Sequence, residues 1–215
     1  FSANINPLGP SQRGLSALES QLRYISHYPD ATNDDILNAI ADIYGMNKNQ
    51  IVVGNGAAEL LYAICRLPGY TGAFVPAPGF SEYKAALEAS RIPVRDIYYR
   101  PREDEHGKPY FEVPYLALET FAAELKGQDG RILVFLGNPN NPDGTLLDKN
   151  HIRTIASMLK DANSLLVIDE SFIDFVGNDT LQDNEYSMRS LVNECDNIIV
   201  VHSFTKFYAV PGLRI

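Results

Sequence analysis

The sequence predicts an α/β fold of three layers, in which a mostly parallel β-sheet carries helices on both faces. Three observations predict it. The apolar runs are short and continuous, as at 132–136, 165–168 and 198–201, and strands that are buried on both faces have this pattern. Segments with helical character separate the runs, as in parallel βαβ units. Each run leads into a loop rich in glycine, asparagine, acidic or hydroxyl residues.

The length of 215 residues suits one sizeable α/β domain, or most of one. The chain begins at Phe1 rather than at a methionine, and it ends directly after a lysine-containing motif. We therefore expect residues 1–215 to be a single, incomplete large domain from a longer protein.

The charge balance argues against several classes of partner. With 18 basic and 27 acidic residues the formal net charge is −9, which disfavours nucleic acid and anionic membranes. No apolar run reaches the length of a membrane span, and there is no signal peptide. Cys65 and Cys195 form no redox or metal motif, so a reducing, cytoplasmic location is expected. The four histidines lack the spacing of a zinc site, and no metal is predicted.

The first part of the chain predicts an arm and two helices. Residues 1–10 contain too much proline, glycine and asparagine for a regular element and are expected to be extended. A helix is predicted over 11–24. Thr32 and Asp35 are expected to cap a second helix, which ends before Gly45.

A glycine turn at 54–59 has the geometry of an anion site. It lies between a predicted strand at 51–53 and a predicted helix at 60–67. A turn in this position directs backbone N–H groups and the helix dipole at an anion. The third glycine of a dinucleotide fingerprint is absent, and such turns often serve only to reverse the chain.

The remaining elements alternate. Strands are predicted at 73–75, 92–99, 131–136, 165–169 and 198–201, and helices at 81–89, 115–126, 148–160 and 186–192. The charged stretch 100–108 is expected to be a solvated loop. Ligands of parallel sheets bind at the carboxyl ends of the strands. The unusual loops at these ends are 54–58, 78–80, 138–144, 169–170 and 203–206, and we expect them to converge on one site.

Lys206 is the residue around which this site is organised. It follows an apolar strand, where an unpaired ammonium group is costly. A desolvated lysine amine forms Schiff bases with aldehydes, while Ser203 and Arg214 are donors suited to a phosphate. An aldehyde that carries a phosphate and is held by a lysine is pyridoxal phosphate. Taken alone Lys206 reads as a surface residue, and the surrounding pattern favours the cofactor.

Three further side chains suit the same cofactor. Asp169 closes an apolar strand, where it would keep a pyridine nitrogen protonated; a helix cap is the alternative. The Asn141 amide, in an Asn-Pro loop, would donate to the phenolate oxygen, with turn chemistry as the alternative. Phe80 would stack on the pyridine ring, although most single phenylalanines are core residues.

Together these residues resemble a known family. The Asn-Pro-Asn-Asn-Pro-Asp-Gly loop at 138–144, Asp169-Glu170, and Ser203-x-x-Lys206 with Arg214 look like the large domain of fold-type I pyridoxal-phosphate enzymes, the aminotransferase class I and II group. The resemblance runs over nearly the whole chain. It implies that residues 1–215 are the large cofactor-binding domain, with the family's N-terminal substrate loop and C-terminal small domain outside the chain.

The resemblance supports the roles given to the lysine, aspartate, asparagine and phenylalanine, and it implies others. The phosphate would be held by Ser203, by Arg214 and by the turn amides of Gly56-Ala57. Tyr28 would reach that phosphate from the second subunit of a homodimer. Asn4 would contact a small, phosphorylated amino-acid substrate.

Two branches of the family are the most similar, namely threonine-phosphate decarboxylases of cobalamin biosynthesis and histidinol-phosphate aminotransferases. The segments that favour the decarboxylases are 1–9, 28–31, 78–83, 172–175 and 205–214. The aminotransferases usually carry a tyrosine where this chain has Phe172. The resemblance therefore implies decarboxylation of L-threonine O-3-phosphate to (R)-1-amino-2-propanol O-2-phosphate and carbon dioxide. A histidinol-phosphate or related aminotransferase and a non-catalytic pyridoxal-phosphate-binding module are the alternatives.

Overall fold

The main sheet is parallel throughout the part of the chain that the structure describes. The structure is a computed structural model, and it describes residues 4–127, 129–177 and 184–214. The strands are β1 Tyr70–Ala77, β2 Val94–Tyr98, β3 Arg100–Glu103, β4 Pro109–Glu112, β5 Arg131–Gly137, β6 Leu165–Glu170 and β7 Ile198–His202. Five of them form one sheet in the order β2-β1-β5-β6-β7, with every pair parallel. The predicted fold class is confirmed.

Helices cover both faces of this sheet. The α-helices of the described residues are α1 Gln12–Gln21, α2 Asp34–Tyr44, α3 Ala57–Cys65, α4 Ser81–Ala89, α5 Tyr115–Glu124, α6 Lys149–Asp161 and the short α7 Phe204–Phe207. Side chains of α3 and α4 belong to one apolar core and side chains of α5 and α6 to another. The described helices include none that is long and apolar enough to cross a membrane.

The apolar residues of a single strand are divided between these two cores. On β5, Leu133 and Phe135 pack into the core of α3 and α4, whereas Val134 and Leu136 pack into the core of α5 and α6. Successive side chains of a strand point to opposite faces. A strand that is covered on both sides therefore has no polar face, and this explains the continuous apolar runs of the sequence.

The N-cap and the spacing of the buried residues explain why the segment of α6 is helical. Asp148 caps its first turn, because the carboxylate accepts the N–H groups of Asn150 at 2.9 Å and His151 at 3.0 Å. Its buried residues, Ile152, Ile155, Ala156 and Leu159, recur at the three- and four-residue spacing of one helix face.

The prediction of a solvated loop at 100–108 is wrong for 100–103, which form β3, and holds for the exposed turn at 104–108. Strands β3 and β4 pair there as an antiparallel hairpin outside the main sheet. Arg102 Nε lies 2.8 Å from Glu112 Oε2 across the two strands, and the Asp104 carboxylate accepts the Lys108 N–H at 2.9 Å in the turn. All of β3 is exposed, so it lacks the apolar residues that reveal a strand in a sequence.

The predicted strand at 51–53 is also wrong, because the extended backbone of this segment finds no partner strand among the described residues. Ile51 has extended torsions of φ −110° and ψ 133°, but Val52 is 77% exposed. A strand is stabilised by its ladder of hydrogen bonds and by burial. Apolar residues without either remain irregular.

Two helix predictions need correction in their details. The N-terminus of α2 is held by Asp30, whose carboxylate accepts the N–H groups of Thr32 at 3.0 Å and Asp34 at 3.3 Å, and not by a Thr32–Asp35 pair. Gly45 ends α2 with φ 62°, as predicted. The helix predicted at 186–192 is a 3-10 helix, Arg189–Asn193.

Candidate active site

The parallel order places the carboxyl ends of β1, β5, β6 and β7 at one edge of the sheet. The chain order reverses between β1 and β5, and open α/β sheets bind ligands at such a point. The loops after these two strands are joined there, because Asn140 Nδ2 donates to the Pro78 carbonyl oxygen at 3.0 Å. The loops that carry Phe80 and Asn141 therefore meet, as the sequence predicted.

Asn138 joins the same edge to β6. Its backbone N–H donates to the Asp169 carbonyl oxygen at 2.8 Å, and its side-chain amide donates to Glu170 Oε1 at 3.0 Å. The Glu170 carboxylate is buried and also accepts from Ser187 Oγ at 2.7 Å and from the Met188 N–H at 2.6 Å. Burial raises the pKa of Glu170, while these donors oppose the rise. The Glu170 carboxylate thus links Asn138, after β5, to Ser187 and Met188.

Asp169 is buried and is hydrogen-bonded at both carboxylate oxygens. Oδ1 accepts the Ser171 N–H at 2.9 Å and the Ser171 hydroxyl at 2.6 Å. Oδ2 accepts the Tyr83 hydroxyl at 2.9 Å. A carboxylate offers about four acceptor positions, two on each oxygen. One position on Oδ2 is therefore left for a ligand, which fits a protonated pyridine nitrogen.

The side chains of Asn141 and Phe80 take no part in the hydrogen bonds of their loops among the described residues. The buried Asn138 and Asn140 make the hydrogen bonds of their loop. Within the described residues the half-buried Asn141 side chain makes none, although turn chemistry was the alternative role for it. Phe80 is half-buried and meets the Tyr83 ring edge-on at 5.6 Å. The contacts of Asn141 and Phe80 with the cofactor stay predictions.

Lys206 lies on α7, directly after β7, and is half-buried. Ser203 caps this helix and is buried; its hydroxyl lies 2.8 Å from the Thr205 hydroxyl and accepts the Thr205 N–H at 3.4 Å. If Thr205 is the donor of the hydroxyl pair, the Ser203 hydroxyl keeps its proton for a phosphate oxygen. Thr205 is a supporting residue that the sequence analysis did not identify.

Behind α7 lies a buried pair, His202 and Asp174, whose Nε2 and Oδ2 atoms are 3.0 Å apart. Burial lowers the pKa of His202 to about 4 and raises that of Asp174 to about 6. A neutral imidazole therefore faces a carboxylate at neutral pH. The His202 ring also packs edge-on against Phe204 at 5.2 Å, and this contact supports the helix that carries the lysine.

Asn6 ties the N-terminal arm to the lysine helix. Its backbone N–H donates to the Lys206 carbonyl oxygen at 3.0 Å, and its side-chain amide donates to the Phe207 carbonyl oxygen at 2.9 Å. The Asn6 Oδ1 atom accepts the Leu8 N–H at 3.0 Å, which folds the arm back on itself. The last carbonyls of a helix lack intrahelical donors, and the arm supplies them. Asn4, two residues away, is exposed.

We expect Asn6→Ala to lower the free energy of unfolding by about 1–2 kcal/mol, because a half-buried carbonyl loses its donor. Denaturant titration of the purified protein measures this change. Asn49→Ala is the matched control, since Asn49 is exposed and its side chain makes no hydrogen bond to the described residues. Equal stability of the two variants would contradict the role given to Asn6.

A candidate anion cradle, made up of Gly56, the Ala57 amide and Arg214, lies where α3 begins. Gly56, the N-cap of α3, has φ 81° and ψ 161°, and Arg214 Nη2 donates to the Asn55 carbonyl oxygen at 3.3 Å. A Cβ atom at Gly56 would lie 2.7 Å from Arg214 Nη2. The Gly56 N–H donates to the Gly54 carbonyl oxygen at 2.8 Å. The amide of Ala57, in the first turn of α3, is therefore the better donor to a phosphate.

We expect Gly56→Ala to weaken binding of pyridoxal phosphate by at least about 10-fold, because these torsions suit only glycine and the new methyl group displaces the guanidinium. Titration of cofactor into apoprotein measures the dissociation constant. Gly45→Ala is the control, since Gly45 also has a positive φ of 62° but no atom within 4 Å of its Cβ position. Unchanged affinity in Gly56→Ala would argue against the cradle.

Tyr28 and Asn4 are the two predicted residues that the chain does not bring into this arrangement by itself. Tyr28 is fully exposed in a loop after α1, as a residue that acts on a neighbouring subunit would be. Asn4 sits at the exposed face of the arm. Both roles stay predictions.

The described site offers what pyridoxal phosphate needs: an amine, an anion cradle, an acceptor for the ring nitrogen and an aromatic side chain. A parallel α/β sheet with these groups at its carboxyl edge defines a pyridoxal-phosphate enzyme of fold type I. The chain belongs to the aminotransferase class I and II family, whose model matches residues 1–215. The family and cofactor predicted from the sequence are confirmed.

Individual relatives come from both branches named above. A threonine-phosphate decarboxylase of Salmonella typhimurium is 33% identical over 220 residues, which cover 100% of this chain and 54% of the relative. A histidinol-phosphate aminotransferase of Methanothermobacter thermautotrophicus is 31% identical over 219 residues, covering 100% and 52%. The solved structure of the Clostridium acetobutylicum histidinol-phosphate aminotransferase superimposes with a TM-score of 0.80 at 26% identity, covering 100% and 58%. The chain thus spans about half the length of these two curated relatives.

Proposed function

We propose that the protein decarboxylates L-threonine O-3-phosphate with pyridoxal phosphate, yielding (R)-1-amino-2-propanol O-2-phosphate and carbon dioxide for adenosylcobalamin biosynthesis. Phe172 is the observation that carries this choice. It follows Asp169-Glu170-Ser171 at the end of β6 and is half-buried, and it has no hydroxyl to donate to the cofactor's phenolate oxygen. Asn141 is then the one side chain of the proposed site that makes this contact. The similarity to a threonine-phosphate decarboxylase supports the same choice.

The proposed residues divide into holding and reacting groups. Ser203, Arg214 and the first turn of α3 would hold the phosphate, and Phe80 would contact the ring. When bound, pyridoxal phosphate supplies a ring that accepts the electron pair left at the substrate α-carbon. Asp169 keeps the ring nitrogen protonated, which strengthens this capacity.

Lys206 supplies the amine that holds the aldehyde before substrate arrives, and later it moves protons. In the decarboxylation the bond between the α-carbon and the carboxylate breaks, and carbon dioxide leaves without the electron pair. A proton from the Lys206 ammonium group then adds to the α-carbon, so that charge and atoms balance. Lys206 would thus act at the α-carbon, while Asp169 and Asn141 would hold the cofactor that accepts the electron pair.

The test is a pair of assays on the cofactor-loaded protein. L-Threonine O-3-phosphate is given without any keto acid, and carbon dioxide release is followed; histidinol phosphate with 2-oxoglutarate is the parallel assay. The proposal predicts carbon dioxide in the first and no glutamate in the second. The reverse result would contradict decarboxylation and leave the cofactor assignment intact. No product in either assay would favour a non-catalytic binding module.

Histidinol-phosphate transamination is the second candidate, and a specific observation favours it. The two relatives described above differ by two percentage points in identity, at 33% and 31%, and the solved structure with a TM-score of 0.80 is a histidinol-phosphate aminotransferase. In that reaction Lys206 would remove the proton of the α-carbon instead of returning one. Both substrates are small and phosphorylated, so the phosphate does not discriminate between them.

We also propose that the protein is a homodimer and that its N-terminal helix contributes to the interface. No residue of α1 is buried, and several apolar side chains of the segment that it begins are exposed. They are Leu15, Leu18, Leu22, Ile25 and Tyr28. Apolar side chains clustered on a surface commonly mark a protein interface.

The cytoplasmic location stays a prediction from the cysteines, both of which are free.

Tyr28→Phe is expected to weaken cofactor binding about 10-fold in the dimer, because one hydrogen bond to a charged phosphate is lost. Light scattering fixes the oligomeric state, and cofactor titration gives the dissociation constant. Tyr24→Phe is the control from the same segment, with a side chain 48% exposed. An equal loss for Tyr28→Phe in a verified monomer would rule out the role across the subunits.

A further inference from the structure

We infer that Tyr83 is a positioning residue for Asp169 and, through it, controls where the proton of the cofactor's ring nitrogen resides. The inference rests on the proposed cofactor site. Tyr83 lies in the first turn of α4, three residues after Phe80. The sequence analysis gave it no role.

The Tyr83 hydroxyl contacts the carboxylate inside the protein. Only 2% of Tyr83 is exposed, and its hydroxyl donates to Asp169 Oδ2 at 2.9 Å. Burial and the charge of Asp169 raise the pKa of Tyr83 well above its usual range. The hydroxyl is therefore held in its protonated form, in which it donates to Asp169.

The Tyr83 ring is fixed on both sides. It stacks on Phe135 of β5, with 5.4 Å between ring centroids and 23° between planes, and it meets Phe80 edge-on at 5.6 Å and 86°. Because Phe135 is fully buried, the hydroxyl cannot move far from Oδ2. One side chain thus contacts both the residue proposed for the ring face and the residue proposed for the ring nitrogen.

The two oxygens of Asp169 have different neighbours, and this makes the Tyr83 contact specific. Oδ1 accepts from two donors of Ser171, whereas among the described residues Oδ2 accepts only from Tyr83. The remaining acceptor position is on Oδ2, so Tyr83 and the ring nitrogen would share that oxygen. A donor to a carboxylate stabilises its charged form and makes it a weaker base. Tyr83 therefore favours the proton on the ring nitrogen over the proton on Asp169.

Tyr83→Phe keeps the packing and removes only this donor. We expect Asp169 to become the stronger base and to take the shared proton from the ring, so that the ¹⁵N resonance of bound, ¹⁵N-labelled pyridoxal phosphate moves towards that of an unprotonated pyridine. The turnover number should fall by about 10- to 100-fold, since a hydrogen bond to a charged group is lost. The Michaelis constant should stay within about threefold, because Tyr83 does not touch the substrate.

Tyr99→Phe is the matched control. Tyr99 is 4% exposed, and its hydroxyl has no hydrogen-bond partner among the described residues. This variant should leave the ¹⁵N resonance and the turnover number unchanged.

Incorporation of 3-fluorotyrosine at position 83 gives a second probe that preserves the ring and hydroxyl. Its more acidic hydroxyl is a stronger donor and should leave the ring nitrogen fully protonated or move its resonance in the direction opposite to Tyr83→Phe.

The outcomes separate this inference from the proposed function. A bound cofactor whose ¹⁵N resonance is the same in the wild type, Tyr83→Phe and the fluorinated protein would overturn the role of Tyr83 alone, even if Tyr83→Phe lowers stability. A wild-type protein that binds no cofactor would overturn the proposed site together with the inference.

Discussion

Lys206→Ala is expected to lose the visible absorption of the lysine-bound cofactor and at least about 1,000-fold in activity, because both the covalent attachment and the proton transfer disappear. Cofactor should still bind through its phosphate, with the absorption of free pyridoxal phosphate. Absorption spectra and carbon dioxide release from the loaded protein measure the two effects.

The appropriate control is Lys160→Ala, which removes an exposed ammonium group that lies 2.9 Å from Asp196 Oδ2. An exposed ion pair of this kind contributes little to stability, and the spectrum and activity should be unchanged. If Lys206→Ala keeps the absorption band of the wild type, another amine holds the aldehyde, and the organisation of the site around α7 is wrong.

Asp169→Asn is expected to bind cofactor in full stoichiometry but to lose about 100- to 1,000-fold in activity, a range typical for one preorganised electrostatic contact. The amide keeps the shape of the carboxylate but not its charge, so the ring nitrogen loses its anionic partner. Cofactor content after gel filtration and the turnover number measure these two properties separately.

Asp148→Asn provides the control for this substitution. Asp148 caps α6 and is exposed, and asparagine is an equally good N-cap residue. Its activity should match that of the wild type. An Asp169→Asn protein with normal turnover would remove the argument that a protonated ring nitrogen drives the reaction.

The sequence could predict the strands of the main sheet because burial on both faces leaves a mark on composition. In β5 and β6 nearly every side chain is buried, so the runs are apolar throughout. The hairpin at 100–112 leaves no such mark, because every residue of β3 is exposed and cross-strand pairs such as Arg102 with Glu112 are polar. The opposite error at 51–53 arose because apolar composition alone does not provide a partner strand.

Residues of the candidate site were predictable where a chemically distinctive side chain lies at or just after the end of an apolar strand, as Asp169 and Lys206 do. It was not predictable where the role depends on contacts between distant segments. Asn6 meets Phe207 across 201 positions and Tyr83 meets Asp169 across 86. The sequence offered only weak signals for them, an asparagine inside a proline-rich arm and a tyrosine one helical turn after Phe80.

The most direct test of the account is borohydride reduction of the cofactor-loaded protein, followed by proteolysis and mass spectrometry. Reduction makes the bond between the lysine amine and the aldehyde carbon permanent and so marks the lysine that holds the cofactor. The account predicts one phosphopyridoxyl group per chain, on the peptide that contains Lys206. A label on another lysine such as Lys84, or labels spread over several surface lysines, would contradict it.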